Sequence, residues 1–195
     1  MKKSYDFVVI GGGIIGLTLA RTLHNLYPSS SLAVLEKELF CGQHASTNNS
    51  GVVHAGFYYT PGTIKAMITR KGNQYMSEYC EEHNVGFKRT GKMLVPKNQE
   101  DVSNLNVFLE KGIKNGVRCE IISTQDAKEI EPNLVCQYDK VFYSPLTAIA
   151  DQIGLIKTLV KELKDKKVEI MTDTKFIDRL DTQKILTNKG PLEYK

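Results

Sequence analysis

The chain has 195 residues with 26 Lys+Arg against 22 Asp+Glu, a formal net charge of +4 at pH 7. At 41% hydrophobic and 25% charged residues it can bury one core or two small ones, which excludes a wholly disordered chain, and no apolar run reaches the roughly 18 residues of a membrane-spanning helix. The +4 charge is spread over the whole length, without the concentrated basic face that nucleic-acid binding requires.

Tyr5-Asp6-Phe7-Val8-Val9-Ile10 is a short β-branched and apolar run, suited to a strand buried on both faces. Gly11-Gly12-Gly13 breaks it, and residues 14–26 follow with Ile15, Leu19, Leu23 and Leu26 as a helical stripe. After the loop at Pro28-Ser29-Ser30-Ser31, Leu32-Ala33-Val34-Leu35-Glu36 reads as a second buried strand. A β-α-β unit of this kind implies parallel strands and a right-handed crossover.

From Phe40 to Thr60 the composition turns small, polar and rich in turn formers. A structureless stretch of that length in a compact domain is usually functional. Pro61-Gly62 ends it, and a helix is expected to about Glu82, with Ile64, Ile68, Tyr75, Met76, Tyr79 and Cys80 mostly on one face.

The middle third reads as mixed α+β. Strands are expected at Lys92–Val95, Arg118–Ile122 and Val141–Tyr143, with a helix at about Gln99–Asn115 and a short one near Asp126–Ile130. Asp151 then caps an amphipathic helix with Ile153, Ile156, Leu159, Val160 and Leu163 inward. Strands return at Val168–Met171 and Lys175–Leu180, and Asn188-Lys189-Gly190-Pro191 makes a turn.

The four cysteines, Cys41, Cys80, Cys119 and Cys136, form no C-x-x-C pair and have no histidine at zinc-finger spacing. They read as plain buried thiols of an intracellular protein, with no metal site.

The motif with the most chemistry is Gly11-x-Gly13-x-x-Gly16. It follows a strand and opens a helix, and Glu36 closes the next strand 20 residues after Gly16, so its context is that of a dinucleotide-binding turn. Gly11 permits the tight turn, Gly13 lets the backbone approach a pyrophosphate, and Gly16 lets helix and strand pack closely. Free N–H groups and the positive helix end hold phosphates. The Glu36 carboxylate would accept from both ribose hydroxyls and repel a 2′-phosphate, which argues against NADP. The unit serves NAD and FAD proteins alike. FAD is favoured because the turn begins at residue 11 and because the polar loop after Glu36 lies where an extended flavin would run onward.

The segment Ala45-Ser46-Thr47-x-Asn49-Ser50-Gly51-Val52-Val53-His54-Ala55-Gly56-Phe57-Tyr58-Tyr59 resembles the second flavin-binding segment of the D-amino-acid-oxidase-like FAD oxidoreductases. Within them it is most similar to the L-2-hydroxyglutarate dehydrogenase/oxidase family. Further matches are Ile64-Lys65-Ala66, Glu78-Tyr79-Cys80, Gly91-Lys92-Met93-Leu94-Val95, Glu110-Lys111-Gly112, Asn115-Gly116-Val117 and Glu129-x-Glu131-Pro132, so the likeness runs from about Tyr5 to about Leu186. It implies an α/β fold: a glutathione-reductase-type, Rossmann-like FAD-binding domain interrupted by an α+β substrate domain. The boundaries expected are 1–83 for the first part of the FAD domain, 84–143 for the insertion and 144–195 for the return, with both domains incomplete. Members of that family are substantially longer, so the resemblance implies an N-terminal fragment.

The resemblance also implies roles. Gly11, Gly13 and Gly16 would take the pyrophosphate, Glu36 the adenosine ribose and Lys37 the adenine edge. Ser46, Asn49, Ser50 and Gly51 would serve the ribityl chain and the isoalloxazine, and Phe176 stands where a strand backbone meets adenine. The implied reaction is oxidation of L-2-hydroxyglutarate to 2-oxoglutarate, a base taking the hydroxyl proton while the C2 hydride passes to flavin N5. His54 is the candidate base, because imidazole titrates near neutrality; flavin contact is its other reading. Lys65, Arg70 and Arg89 are candidate carboxylate-binding cations, with solvated surface charge as the plainer reading of each. Tyr58 and Tyr59 line either the cavity or the core. His24, His44 and His83 carry no assigned role.

The expected partners are a small 2-hydroxy acid and an electron acceptor, oxygen or a quinone, with no nucleic acid and no transmembrane segment. The expected location is cytoplasmic, a peripheral membrane contact remaining open. Alternatives are another D-amino-acid-oxidase-like flavoenzyme, such as an amine oxidase or glycerol-3-phosphate dehydrogenase, or a non-catalytic FAD-binding fragment.

Overall fold

A computed structural model of the protein describes residues 4–195. In chain order the elements are β1 (Ser4–Tyr5), β2 (Phe7–Ile10), α1 (Ile14–Leu26), β3 (Leu32–Leu35), β4 (Val52–Val53), α2 (Ile64–Glu82), β5 (Phe87–Lys88), β6 (Lys92–Leu94) and α3 (Gln99–Lys114). There follow β7 (Glu120–Ile122), α4 (Thr124–Ile130), β8 (Val141–Ser144), β9 (Ala148–Ala150), α5 (Gln152–Asp165), β10 (Glu169–Met171), β11 (Phe176–Arg179), β12 (Lys184–Thr187) and β13 (Gly190–Tyr194). The helix starts are written in side chains. Thr63, Asn98, Ser123 and Asp151 each accept a hydrogen bond from the first turn of α2, α3, α4 and α5 respectively, which satisfies amides that have no partner inside the helix.

The chain packs as two compact units, Met1–Ser50 with Asp151–Lys195, and Gly51–Ala150. Packing thus divides it at 50/51 and 150/151, while the boundaries read from the sequence stand at 83/84 and 143/144. In the first unit β2, β3 and β10 form a parallel sheet in the order β10-β3-β2. β3 is buried along its whole length, as the apolar run Leu32–Leu35 predicts. β2 is not: it is the edge strand, and Ile10 is 55% exposed, because burial on both faces needs neighbours that an edge strand lacks. A second sheet, β1-β13-β12-β11, joins the antiparallel meander of β11, β12 and β13 to β1 by a parallel pairing. Tyr5, Ala33, Leu35, Met171, Ile185 and Leu192 form the apolar cluster that belongs to these strands.

The helix faces also depart from the sequence reading. α1 buries Leu17 and Ala20, whereas Ile15, Leu19 and Leu26 of the expected stripe are 81%, 48% and 66% exposed. α1 packs its small side against the sheet and α5, and a half-buried ion pair (Arg21 Nε to Glu162 Oε1, 2.9 Å) joins the two helices. α5 keeps Leu155, Ile156, Leu159 and Leu163 inward, but its Ile153 is exposed.

In the second unit β9 pairs antiparallel with both β4 and β5, and β8 with both β6 and β7. Its cores are Ala55, Phe57, Leu105, Val117 and Phe142, and a smaller cluster of Ala127, Leu134 and Val141. α2 buries Ala66, Asn73, Ser77 and Cys80 and exposes Ile64, Ile68 and Tyr75, again a polar and small face inward where large apolar residues suggested the reverse. The four cysteines are free, but only Cys80 is fully buried. No helix among the described residues is long and apolar enough to cross a membrane.

Candidate functional site

The glycine turn sits between the end of β2 and the start of α1. Gly11 donates to the Leu35 carbonyl (2.7 Å), tying the turn to β3. Its φ of +108° is a conformation open mainly to glycine. A Cβ added to Gly16 would stand 1.9 Å from the Gly11 carbonyl oxygen, so the helix can approach the turn only because residue 16 has no side chain. A Cβ on Gly12 would meet Cys41 Sγ at 2.7 Å and Glu36 Cβ at 2.9 Å. The middle glycine of the run, an unspecified position in the motif, is therefore a steric requirement here.

Glu36 follows β3 and is buried, 7% exposed. The Gly12 amide donates to its Oε2 (2.8 Å) and the Glu38 amide to its Oε1 (2.9 Å). Two backbone donors hold the carboxylate in one orientation, and each oxygen keeps a lone pair for another donor. Its main chain is pinned as well: Glu36 N–H donates to the Met171 carbonyl and the Thr174 N–H to the Glu36 carbonyl.

Ser46 reaches back to the same place. α1 has Gly13 at its N-cap, with no side chain to satisfy the first amides, and the Ser46 hydroxyl accepts from Ile14 N–H at 2.9 Å. This puts Ser46 at the N-terminal end of α1, beside the glycine turn. The surrounding loop is held by its own polar side chains. Thr47 Oγ1 donates to Gly42 O, Asn48 Nδ2 to Gln43 O, and Asn49 Nδ2 to Ala45 O and Ser46 O. Gln152 Nε2 at the start of α5 donates to Asn49 O at 3.1 Å. Asn49 thus closes the loop, and Ser50 is exposed at its end. Lys37 is exposed with its Nζ 3.6 Å from Glu38 Oε1, and His44 Nε2 lies 2.9 Å from the same oxygen. Phe176 packs against the cluster of Tyr5, Ala33, Leu35 and Met171; the residue of that stretch that touches Glu36 is Thr174.

The turn, the helix start, Glu36 and Ser46 fit a dinucleotide diphosphate. The Gly13 amide donates to nothing among the described residues, the space where a Gly11 Cβ would sit is open, and a fixed carboxylate stands at the end of the neighbouring strand. Cys41 is close by but inert: burial, and then the Glu36 charge, push its thiol up to about 11, Lys164 offsetting a little.

In the second unit Gly51 is buried with φ +67°, and its carbonyl accepts from Ala150 N–H. His54 follows β4. Two asparagines hold the chain around it. Asn73 of α2, 7% exposed, directs Nδ2 to the carbonyls of Leu146 (3.0 Å), Val53 (3.2 Å) and His54 (3.4 Å). Asn115 Nδ2 donates to Tyr59 O (2.9 Å) and Gly56 O (3.2 Å). Neither role was read from the sequence: Asn73 lies on a helix face and Asn115 is the residue after α3, and neither position carries a local sign of its distant partners. The His54 ring meets Tyr58 edge-on at 5.9 Å, and Tyr58 donates to the Tyr59 hydroxyl at 3.4 Å. His54 is exposed, and partial burial, then the Lys92 charge, lower its pKa from 6.5, which favours the neutral imidazole. Of the candidate cations, Arg89 is engaged: its Nη2 donates to Ser77 Oγ at 3.0 Å and its guanidinium lies over Phe87. Arg70 packs its guanidinium against Gly116. Among the described residues no group of three or more His, Cys, Asp and Glu side chains could hold a metal ion.

Comparison with known proteins agrees with this geometry. Three curated relatives are L-2-hydroxyglutarate dehydrogenases. The Nematostella vectensis mitochondrial protein is 41% identical over 151 residues, 77% of this chain and 33% of its own. The human mitochondrial protein is 35% identical over 172 residues, 88% and 37%. The Escherichia coli K12 protein is 39% identical over 130 residues, 67% and 31%. The chain thus spans roughly a third of the length of these relatives. Among solved structures, L-proline dehydrogenase from P. horikoshii superposes with a TM-score of 0.88 at 24% identity, covering 100% of this chain and 52% of that one. L-alpha-glycerophosphate oxidase from Mycoplasma pneumoniae, with FAD bound, does so with a TM-score of 0.85 at 22% identity, covering 96% and 50%. Both show the fold. Residues 6–191 match the family described as FAD dependent oxidoreductase, and the chain belongs to that family, whose cofactor is FAD.

Proposed function

We propose that this chain carries the FAD-binding face and part of the substrate site of an L-2-hydroxy-acid oxidoreductase acting on L-2-hydroxyglutarate. The observation that carries the reading is the convergence of Gly11–Gly13, the α1 amides, Glu36 and Ser46 on one helix start. The substrate is the one in the names of the L-2-hydroxyglutarate dehydrogenases that are 35–41% identical to this chain. Gly11, Gly13 and Gly16 shape the pyrophosphate cradle, Glu36 receives the ribose hydroxyls, and Ser46 adds a hydroxyl at the phosphate end. Lys37 borders the adenine, Asn49, Ser50 and Gly51 form the path of the ribityl chain, and Phe176 offers its backbone toward the adenine. When bound, FAD supplies the acceptor for the two electrons and hydrogen that leave C2. His54 takes the hydroxyl proton; a neutral imidazole at pH 7 is the state a base requires. Residues 84–143 belong to the substrate domain on this reading, and the electron acceptor would be oxygen or a quinone. Four free thiols support a reducing compartment, the cytoplasm.

The test is colour and its loss. The purified chain should be yellow or become so with added FAD, and L-2-hydroxyglutarate should bleach it without oxygen. A colourless protein that takes up no FAD refutes the cofactor site. Bleaching by glycine or glycerol 3-phosphate instead of L-2-hydroxyglutarate refutes the substrate.

A further inference from the structure

Two lysines of the second unit hold their ammonium groups over aromatic rings, with no acid partner among the described residues. Lys92, half-buried on β6, places Nζ 5.5 Å from the Tyr58 ring centroid and 6.0 Å from that of Phe57. Lys65, in the first turn of α2, places Nζ 4.8 Å from the Tyr59 centroid. Neither pairs with an acid among the described residues. Lysines of the first unit do: Lys166 takes Glu162, Lys184 takes Glu193, Lys189 takes Asp173 and Lys195 takes Asp6; the lysines of the second unit make no such pair among the described residues, and Lys92 stands apart by the rings that hold it. Lys92 is instead held over aromatic faces, which attract the cation while leaving its N–H donors unspent.

Its neighbours are all able to serve an anion. Lys92 is close enough to His54 for its charge to disfavour the imidazolium. Tyr58 is pushed up to about 12, first by burial and then by its hydrogen bond and proximity to Tyr59, so it stays a protonated phenol. Because Tyr58 donates to Tyr59, the Tyr59 hydroxyl hydrogen is left for an outside acceptor. An ammonium, an imidazole and a phenol, with no acid among them, form a receptor for a carboxylate beside a proton acceptor. Arg89, which the sequence offered for this task, is committed to Ser77 and Phe87.

We propose that Lys92 is a specificity-determining residue whose ammonium receives a carboxylate of the substrate next to His54. The assignment rests on the reading of a 2-hydroxy acid at this unit. An ammonium–carboxylate contact is a charge-assisted hydrogen bond, about twice as strong as a neutral one, and a partly desolvated cation gains more from it than a solvated one.

The experiment titrates the full chain with glutarate, butyrate and the neutral butyramide, following the His54 imidazole signals by NMR, in the wild type, K92M and K92R. K92M should weaken glutarate binding by about tenfold or more, and K92R should restore it to within about threefold. Loss of both acids marks a contact to the carboxylate next to the reacting carbon, and loss of glutarate alone a contact to the distal one; either supports the assignment. Unchanged glutarate binding in a folded K92M overturns it. So does equal loss of butyramide, which would mean Lys92 only shapes the pocket, and so does a wild type that does not bind glutarate saturably. Flavin content and bleaching are measured on the same samples. Their failure counts against the oxidation alone, while an indifferent K92M counts against Lys92 whatever the flavin does.

Discussion

Replacing Gly16 by alanine isolates what the glycine turn requires of the fold. The new Cβ would lie 1.9 Å from the Gly11 carbonyl oxygen, 3.0 Å from its carbon and 3.4 Å from Val9 Cγ1. Carbon–oxygen contact needs a little over 3 Å, so α1 must retreat from the turn by about 1 Å, and since the obstacle is backbone no rotamer change relieves it. Overpacking of this kind costs about 1–3 kcal/mol, and backbone against Cβ belongs at the upper end, about 3 kcal/mol. Gly72, inside α2, is the matched control: a Cβ there meets nothing within 4 Å. Gly72→Ala should stabilise by about 0.5–1 kcal/mol through helix propensity and the entropy of the unfolded chain. For a chain of this size 1 kcal/mol moves Tm by about 2–4 °C. Gly16→Ala should therefore melt about 6–12 °C lower and Gly72→Ala a few degrees higher, as followed by circular dichroism. The steric reasoning is refuted if Gly16→Ala melts within 2 °C of the wild type, or if Gly72→Ala loses as much as Gly16→Ala.

Three further outcomes follow from the same contacts. Asn73→Ala removes the donor shared by the carbonyls of Leu146, Val53 and His54 and should cost about 2–4 kcal/mol in urea unfolding; Asn73→Asp, which turns an acceptor toward those carbonyls, should be worse, and the reverse order would count against the contact. Asp6 is held far below its usual 3.8 by the amide and hydroxyl of Ser31 and by Lys195. A carboxyl depressed on folding contributes stability that is fully present above its unfolded pKa and lost as pH falls below it, so Asp6→Asn should flatten the loss of stability below about pH 4 while lowering stability at pH 7; parallel pH profiles would contradict this. Cys41, a neutral thiol well above pH 8, should alkylate with iodoacetamide at pH 8 far more slowly in the folded chain than in urea, by mass spectrometry of its peptide; equal rates would mean it is neither shielded nor neutral.

Much of the candidate cofactor site was legible because its determinants are local. The run Phe7–Ile10, the glycines after it and Glu36 lie within one β-α-β unit, where chain order brings the residues together. The cap of α5 by Asp151 was legible for the same reason, as its partners are two and three residues away. The inward faces of α1 and α2 were not. Large apolar residues normally mark the buried side, but here Leu17 and Ala20, and Ala66, Asn73, Ser77 and Cys80, turn inward. Close approach to a neighbouring helix or to carbonyls needing a donor outweighed bulk, and neither shows in a helix's own sequence.

What the sequence determined by itself is the alternation of strand, turn and helix in residues 5–36, the position of the dinucleotide turn, and the family to which both belong. Each is set by periodicity, glycine geometry or matched residues close together in the chain. Tertiary structure alone decided that β1 completes the meander beside β13, that Ser46 caps a helix 32 residues before it, and that Asn73 and Asn115 hold the His54 segment. Those relations depend on side chains meeting across tens of residues. Which partner a polar group finds is a property of the packed chain, because burial obliges every donor and acceptor to be matched and only the fold supplies the match.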